Sequence, residues 1–209
     1  MLKSSLDYKK ETLKTYKDNS KEYAGKFDGA FKYHEKSLER FLSKLKPNSE
    51  IIDLGAGAGT YATKMQDAGH YVVCLDNSVE MLNICSQRKL NTLLMDMENM
   101  DLGKRVFDAG WAMTAITHTP KYKIEDLFKK IGEGIKHQGI LFVGVHQGSE
   151  NDLKEDIPGS GYFRHMSKFI PGEVEKLSNK YFTTFDNWET EGYGGVKFLN
   201  YLMRKNLKL

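Results

Sequence analysis

The sequence predicts an α/β fold: a mostly parallel sheet with helices on both faces and an antiparallel hairpin at its end. Three observations carry that expectation. Short apolar runs at 51–54, 71–75 and 92–95 each meet an acid, Asp53, Asp76 or Asp96, and stretches of helical periodicity separate them. The first run opens into a turn with glycines at 55, 57 and 59, where the backbone can bend sharply and approach a ligand with no Cβ in the way. Near the end, two long strand patterns, Tyr181 to about Glu189 and Val196 to Arg204, flank the turn Gly192-Tyr193-Gly194-Gly195.

Residues 1–46 are polar and Lys-rich but carry Tyr8, Tyr16, Tyr23, Phe27, Phe31 and Tyr33. They read as two or three short helices, the last over about 31–45 with Phe31, Leu38, Phe41, Leu42 and Leu45 as its apolar stripe. This segment is expected to be an N-terminal helical arm, or lid, packed on a single globular unit at 47–209. Lys46-Pro47-Asn48 ends it and leads into the first strand. A helix from Thr60 to about Ala68 follows the glycine turn and closes at Gly69. Tyr71–Leu75 is the second strand, and Ser78 caps a helix running to about Lys89. Thr92–Met95 is the third strand and 105–113 the fourth. Apolar residues at 124, 127, 128 and 131 mark a helix facing the sheet, and Ile140–Val145 is the fifth strand. Residues 147–171 read as a long loop over the pocket. A helix starts near Pro171, and the hairpin follows.

Composition narrows the possibilities. The 31 basic and 28 acidic side chains nearly cancel, so the chain lacks the concentrated positive charge of a dedicated nucleic-acid binder. Cys74 and Cys85 show no metal-site or disulfide spacing and read as small buried hydrophobes. No apolar run approaches the ~18 residues of a membrane span, and no signal-peptide hydrophobic region follows the N-terminus. The setting expected by default is soluble, reducing and cytoplasmic, for a monomer or homodimer without a metal.

The glycine spacing bears on the ligand. A dinucleotide fingerprint, Gly-x-Gly-x-x-Gly, would need glycine where Thr60 stands. Instead the stretch reads Asp-x-Gly-x-Gly-x-Gly from Asp53, and this resembles the first motif of the class I S-adenosylmethionine-dependent methyltransferases. Asp76-Asn77-Ser78-Val79-Glu80-Met81-Leu82 resembles the second motif of that family. Phe107-Asp108 and the loop Ile116-Thr117-His118-Thr119-Pro120 resemble its fourth strand and following loop, with Thr117 in place of a commoner histidine. Gly161-Tyr162-Phe163-Arg164-His165-Met166 is similar to the aromatic segment before the last helix of small-molecule methyltransferases. Together the likeness covers about 15–205. It implies a Rossmann-like, seven-stranded, mostly parallel sheet and S-adenosyl-L-methionine as cofactor.

The resemblance also distributes roles. Gly55, Ala56, Gly57 and Gly59 would lie against the methionine and ribose portion, and Asp53 would reach the methionine ammonium. Asp76, at the end of its strand, can accept hydrogen bonds from both ribose hydroxyls, with Asn77 and Met81 beside it. Asp96 would take the adenine amino group and Met97 its face. Ala112 and Tyr23 are further cofactor candidates. Tyr16, Tyr162, Phe163 and Trp188 are expected near the acceptor, and an aromatic cover of this kind suits a small, partly apolar molecule or a cationic amine. His118 and His146 are the candidate general bases. The expected function is methyl transfer to a small molecule, with no nucleic acid or membrane partner. Methylation of RNA or protein, or cofactor binding without catalysis, are the alternatives.

Overall fold

Residues 5–104, 106–155 and 161–207 are described by the structure, a computed structural model. The arm forms α1 (Ser5–Asp18), α2 (Ser20–Ala30) and α3 (Glu35–Leu42). The single helix expected over 31–45 is divided, because Phe31–Tyr33 is a 3₁₀ turn and His34 has φ −120°, outside the helical region. The stripe still faces inward: Leu38 and Phe41 are buried, and the Phe41 ring lies 5.2 Å from that of Trp111.

Strands β1 (Glu50–Leu54), β2 (Tyr71–Asp76), β3 (Asn91–Leu94), β4 (Phe107–Met113) and β5 (Ile135–His146) run parallel, linked in part by α4 (Thr60–Asp67), α5 (Val79–Gln87) and α6 (Lys121–Gly134). Then come β6 (Asn151–Glu155), β7 (Phe163–Ser167), α7 (Glu173–Ser178), β8 (Phe182–Glu191) and β9 (Lys197–Lys205). The main sheet has seven strands in the order β3-β2-β1-β4-β5-β9-β8, and β9 inserts antiparallel between β5 and β8. The expected Rossmann-like sheet with a terminal hairpin is therefore present. Its strand order reverses between β1 and β4, and the C-terminal edge there is where ligands bind in open α/β sheets.

Alternation along the strands sends successive side chains to opposite faces. On β1, Ile52 and Leu54 join a core with Ile124, Leu127 and Phe128 of α6, while Ile51 joins one with Phe41, Ala62 and Met65 of the helices on the other side. The Trp111 and Phe142 rings stack at 3.8 Å within the second core.

Two expectations are corrected. The segment 147–171 is not simply a loop: β6 and β7 pair antiparallel, from Asn151↔Ser167 to Glu155↔Phe163. Part of what holds this polar ribbon lies far away in the chain. Thr15 Oγ1 donates to the Phe163 carbonyl at 2.8 Å, and the His165 N–H donates to Thr12 Oγ1 at 3.0 Å. Strand β5 also starts before Ile140, at Ile135, with a register shift against β4 near Phe107 and Ala109. Arg105, the expected first residue of the fourth strand, lies outside the described residues.

Candidate active site

The turn after β1 is built from left-handed residues. Gly55, Gly57 and Gly59 have φ of +65°, +54° and +77°, values that favour glycine. At Gly55 a side chain would also lack space, since its Cβ would lie 2.8 Å from that of Ala115. The loop is tied down from beneath: Ala56 N–H donates to the Leu75 carbonyl, and the Cys85 thiol donates to the Gly57 carbonyl at 3.1 Å.

Asp76, at the end of β2, organises the next part of the wall. One carboxylate oxygen accepts from Gly57 N–H and the other from Ser78 N–H, each at 2.9 Å. Burial raises its pKa, and the amides of Ser78, Gly57 and Asn77 act against that rise. Ser78 caps α5 as expected, its hydroxyl accepting from Met81 N–H at 3.3 Å. Each oxygen of Asp76 keeps lone pairs for a further donor.

Above these elements lies a cavity open to solvent on one side. Gly55, Gly57, Asp76 and Asn77 form its floor, Asp96, Met97 and Glu98 one end, and Thr114, Ala115 and His118 the other. Lys9, Thr12, Tyr16 and Phe27 of the arm close it. The arm is fastened beside the glycine loop, where Asp28 accepts from Thr60 Oγ1 at 2.7 Å and from both terminal nitrogens of Arg88 at 3.1 and 2.7 Å.

Asp53 stands behind this floor. It is 2 % exposed, and one oxygen, Oδ2, has no hydrogen-bond partner. Burial and the nearby Asp76 push its carboxyl well above the usual range, against the Ala62 backbone N–H that it accepts. A buried acceptor without a donor beside a backbone cradle fits a cationic ammonium group. The raised pKa also has a consequence for stability. Because the folded state binds this proton more tightly, stability falls as pH rises from about 4 towards the folded pKa, and the loss persists above it. Asp53→Asn, which removes the buried charge, is expected to stabilise the protein by about 1–3 kcal/mol at pH 8 and to show no gain near pH 3. Thermal denaturation at the two pH values measures this, and an equal shift at both would refute the assignment.

At one end of the cavity, Asp96 Oδ1 accepts from Glu98 N–H at 3.0 Å, and Oδ2 accepts from Lys9 at 2.7 Å and from Asn99 at 2.9 Å. Glu98 pairs with Lys9 at 2.8 Å and Lys123 at 2.9 Å, and accepts from the Tyr8 hydroxyl. Burial opposes ionisation of Asp96, but Lys9 and the Glu98 amide more than offset it and hold the carboxyl below its usual value.

At the other end, His118 Nδ1 lies 2.8 Å from the His165 carbonyl oxygen and Nε2 lies 2.9 Å from the Tyr16 hydroxyl. Arg164 donates to the same hydroxyl at 2.8 Å. Burial, with Arg164 close by, pushes the His118 pKa down to about 3, so the imidazole is neutral near pH 7.

Of the expected residues, Tyr16, Gly55, Gly57, Asp76, Asn77, Asp96, Met97 and His118 line the cavity. Ala56, Gly59 and Met81 are buried and do not line it. Tyr23 is buried in a second row, its ring 5.1 Å from that of Tyr16. Five residues are placed elsewhere than expected. Trp188 is on β8, at the outer edge of the sheet, where it donates to Ser37 Oγ and lies under Arg40. Ala112 faces the α6 core, because alternation along β4 turns it away from the floor. His146 packs its ring 4.8 Å from Phe198 and is not in the cavity lining. Tyr162, just before β7, and Phe163, its first residue, are half-buried and do not line the cavity either.

Sequence reasoning missed Lys9, Thr12, Phe27, Glu98, Thr114 and the role of Arg164. Lys9, Thr12 and Tyr16 are spaced i, i+3 and i+7 on α1, one helical face, so that signal was available.

Comparison with known proteins agrees with this geometry. The family model of a methyltransferase domain matches residues 51–139, from the first strand through the glycine loop, Asp76 and Asp96 to the start of the fifth strand. Over that stretch the chain is similar to a methyltransferase domain. A demethylmenaquinone methyltransferase of Corynebacterium urealyticum is 32% identical over 65 residues, 31% of this chain and 28% of that protein, so under a third of the relative's length is spanned. Among solved structures, the 1,6-didemethyltoxoflavin-N1-methyltransferase of Burkholderia thailandensis, with 1,6-didemethyltoxoflavin and S-adenosylhomocysteine bound, superposes with a TM-score of 0.81 at 15% identity, covering 99% of this chain and 92% of that one. The complex of DhpI with S-adenosylhomocysteine superposes at 0.73 with 17% identity, covering 98% and 100%. The cyclase SpnF also shares the fold, at 0.65 with 13% identity, over 81% of this chain and 80% of that one. A fold of this kind thus does not by itself fix the reaction.

Proposed function

We propose that this protein is an S-adenosylmethionine-dependent methyltransferase that acts on a small molecule. The observation that carries the reading is the cavity itself, in which a loop of left-handed glycines and the carboxylates of Asp76 and Asp96 share one wall. When bound, the cofactor supplies an activated methyl group on a sulfonium, so the hard chemistry is its own.

The chain's residues bind, orient and exclude water. Asp76 offers its remaining lone pairs to a ribose diol while its amide contacts keep the loop in register. Asp96 and Met97 border the nucleobase, with Lys9 holding the Asp96 carboxylate in place. Asp53, buried behind the floor and outside the cavity lining, would act on the ammonium through water, with Oδ2 as the acceptor. The arm acts as the lid, with Tyr16 and Phe27 on the cavity wall. Holding an acceptor in line with the methyl group can contribute roughly 7–11 kcal/mol towards the barrier in well-oriented models.

The near balance of 31 basic and 28 acidic side chains supports a small-molecule acceptor over a nucleic acid. The B. thailandensis neighbour, holding a small heterocycle beside S-adenosylhomocysteine, supports the same choice. Among the described residues no helix is long and apolar enough to cross a membrane. The free, buried thiols of Cys74 and Cys85 fit a cytoplasmic location. Isothermal titration with S-adenosylhomocysteine tests the proposal: binding in the micromolar range is expected, and none up to millimolar ligand would sink it.

A further inference from the structure

Three threonines line the cavity: Thr12 on α1, Thr114 just after β4, and Thr119 at the end of the loop that follows. Strand β7 gathers two of them around His118. The His165 N–H donates to Thr12 Oγ1 at 3.0 Å, and the His165 carbonyl lies 2.8 Å from His118 Nδ1. Its Nε2 lies 3.0 Å from Ser167 Oγ, which donates to the Thr119 carbonyl at 2.8 Å. A hydroxyl donates one hydrogen bond and accepts up to two. Apart from the His165 amide on Thr12, no group among the described residues bonds any of these three hydroxyls, so each keeps its hydrogen. Thr12 and Thr119 are buried, where a donor without a partner costs free energy. The acceptor atoms of a ligand would meet that need.

Thr114 carries a second, independent mark. Its φ is +54°, a region that a β-branched residue rarely adopts, and such strain collects at functional sites. Both of its backbone groups hold it there: the N–H donates to the Gly144 carbonyl at 2.8 Å, and the carbonyl accepts from Thr117 Oγ1 at 2.6 Å. Glycine would take the same φ without strain. The strained residue is thus one that sets a hydroxyl on the cavity wall.

The charged side chains of the lining stand elsewhere: Asp76 under the glycine loop, and Lys9, Asp96 and Glu98 at the nucleobase end. Beside Thr114 and Thr119 the titratable group is His118, which is neutral near pH 7 because burial pushes its pKa down to about 3. Both of its ring nitrogens are engaged, one with the His165 carbonyl and one with the Tyr16 hydroxyl. An ion seated against these threonines would give up water without meeting an opposite charge. A cation would fare worst. The Arg164 guanidinium donates to the Tyr16 hydroxyl at 2.8 Å and lies 5.1 Å from the Tyr23 ring centre, over aromatic faces that a cationic amine would use.

We propose that the hydroxyls of Thr12, Thr114 and Thr119 form the subsite for the methyl acceptor, with Thr114 its specificity-determining residue, and that this acceptor is an uncharged molecule carrying carbonyl or ring-nitrogen hydrogen-bond acceptors. This rests on the methyl-transfer reading above and names its substrate class. Of the two acceptors that the aromatic side chains suggest, it selects the neutral one.

The test uses protein saturated with S-adenosylhomocysteine and ligand-observed NMR at pH 7. The neutral probes are 2-pyridone and 4-quinolone, the cation is phenethylammonium and the anion is benzoate. The neutral probes should bind and the ions should not. Equal or tighter binding of either ion, or no binding of the neutral probes, would overturn the proposal. Thr114→Val should weaken the neutral probes about tenfold, the loss expected for one hydrogen bond, with S-adenosylhomocysteine affinity within about threefold of wild type. Thr114→Ser, which keeps the hydroxyl, should recover most of that loss; equal losses in the two variants would refute the specificity role. Thr114→Gly, which relieves the backbone, should melt at or above the wild-type temperature and still bind as weakly as Thr114→Val. A lower melting temperature with wild-type binding would make Thr114 a folding residue and sink its role in the subsite. Failure of the wild type to bind S-adenosylhomocysteine strikes the cofactor reading, whereas a bound complex that prefers an ion strikes only the subsite.

Discussion

Asp76→Ala is expected to weaken S-adenosylhomocysteine binding about 100-fold, equivalent to ~2.7 kcal/mol. The loss has two sources. The substitution removes the acceptors for a ribose diol, and it leaves the Gly57 and Ser78 amides, each now bonded at 2.9 Å, without their partner. Folding stability should also fall, since the two orphaned amides weigh on the folded protein with or without ligand, while loss of the buried carboxylate offsets part of that. Asp76→Asn, which keeps one acceptor oxygen, should fall between wild type and Asp76→Ala. Titration calorimetry and thermal melts on the three proteins separate affinity from stability. An Asp76→Ala affinity within threefold of wild type would remove Asp76 from the site.

Gly59→Ala should instead act on the fold, destabilising the protein by about 3 kcal/mol. Its φ of +77° lies where a Cβ is strained, and the added atom would come 2.4 Å from Leu90 Cδ1 and 3.0 Å from Cys85 Sγ. For a domain of about 200 residues, a change of that size lowers Tm by roughly 6–12 °C. Because Leu90 presents the far end of a flexible side chain, Leu90→Ala in the same molecule should recover part of the clash but none of the backbone strain. A double-mutant cycle by denaturant unfolding reads the two apart. If the pair is strictly additive, Leu90 is not the obstacle.

How much of this was legible beforehand depended on how local the cause was. Asp53, Asp76 and the three glycines could be placed because a buried strand, a sharp turn and a helix cap are written in adjacent residues. Trp188 and Ala112 were misplaced for different reasons. An aromatic residue on a strand pattern gives no clue to how far across the sheet its strand lies, and β8 is the outermost. The face that Ala112 turns to depends on the register of β4 against β1, Asp53 opposite Trp111, which no local pattern fixes. The β6–β7 ribbon escaped notice because its sequence is polar and part of its support comes from the hydroxyls of Thr12 and Thr15, about 150 residues earlier.

The glycine loop shows where the division falls. Its sequence determined a left-handed turn after a buried strand, with a carboxylate beneath it, because φ preference and short-range spacing are properties of neighbouring residues. Only the tertiary structure decided what faces that loop. Folding brings the α1 face of Lys9, Thr12 and Tyr16 over the cavity and β7 against α1, so that Arg164, Tyr16 and His118 meet across about 100 residues or more of chain. Contacts of that range depend on the packing of whole elements, and no segment encodes them alone.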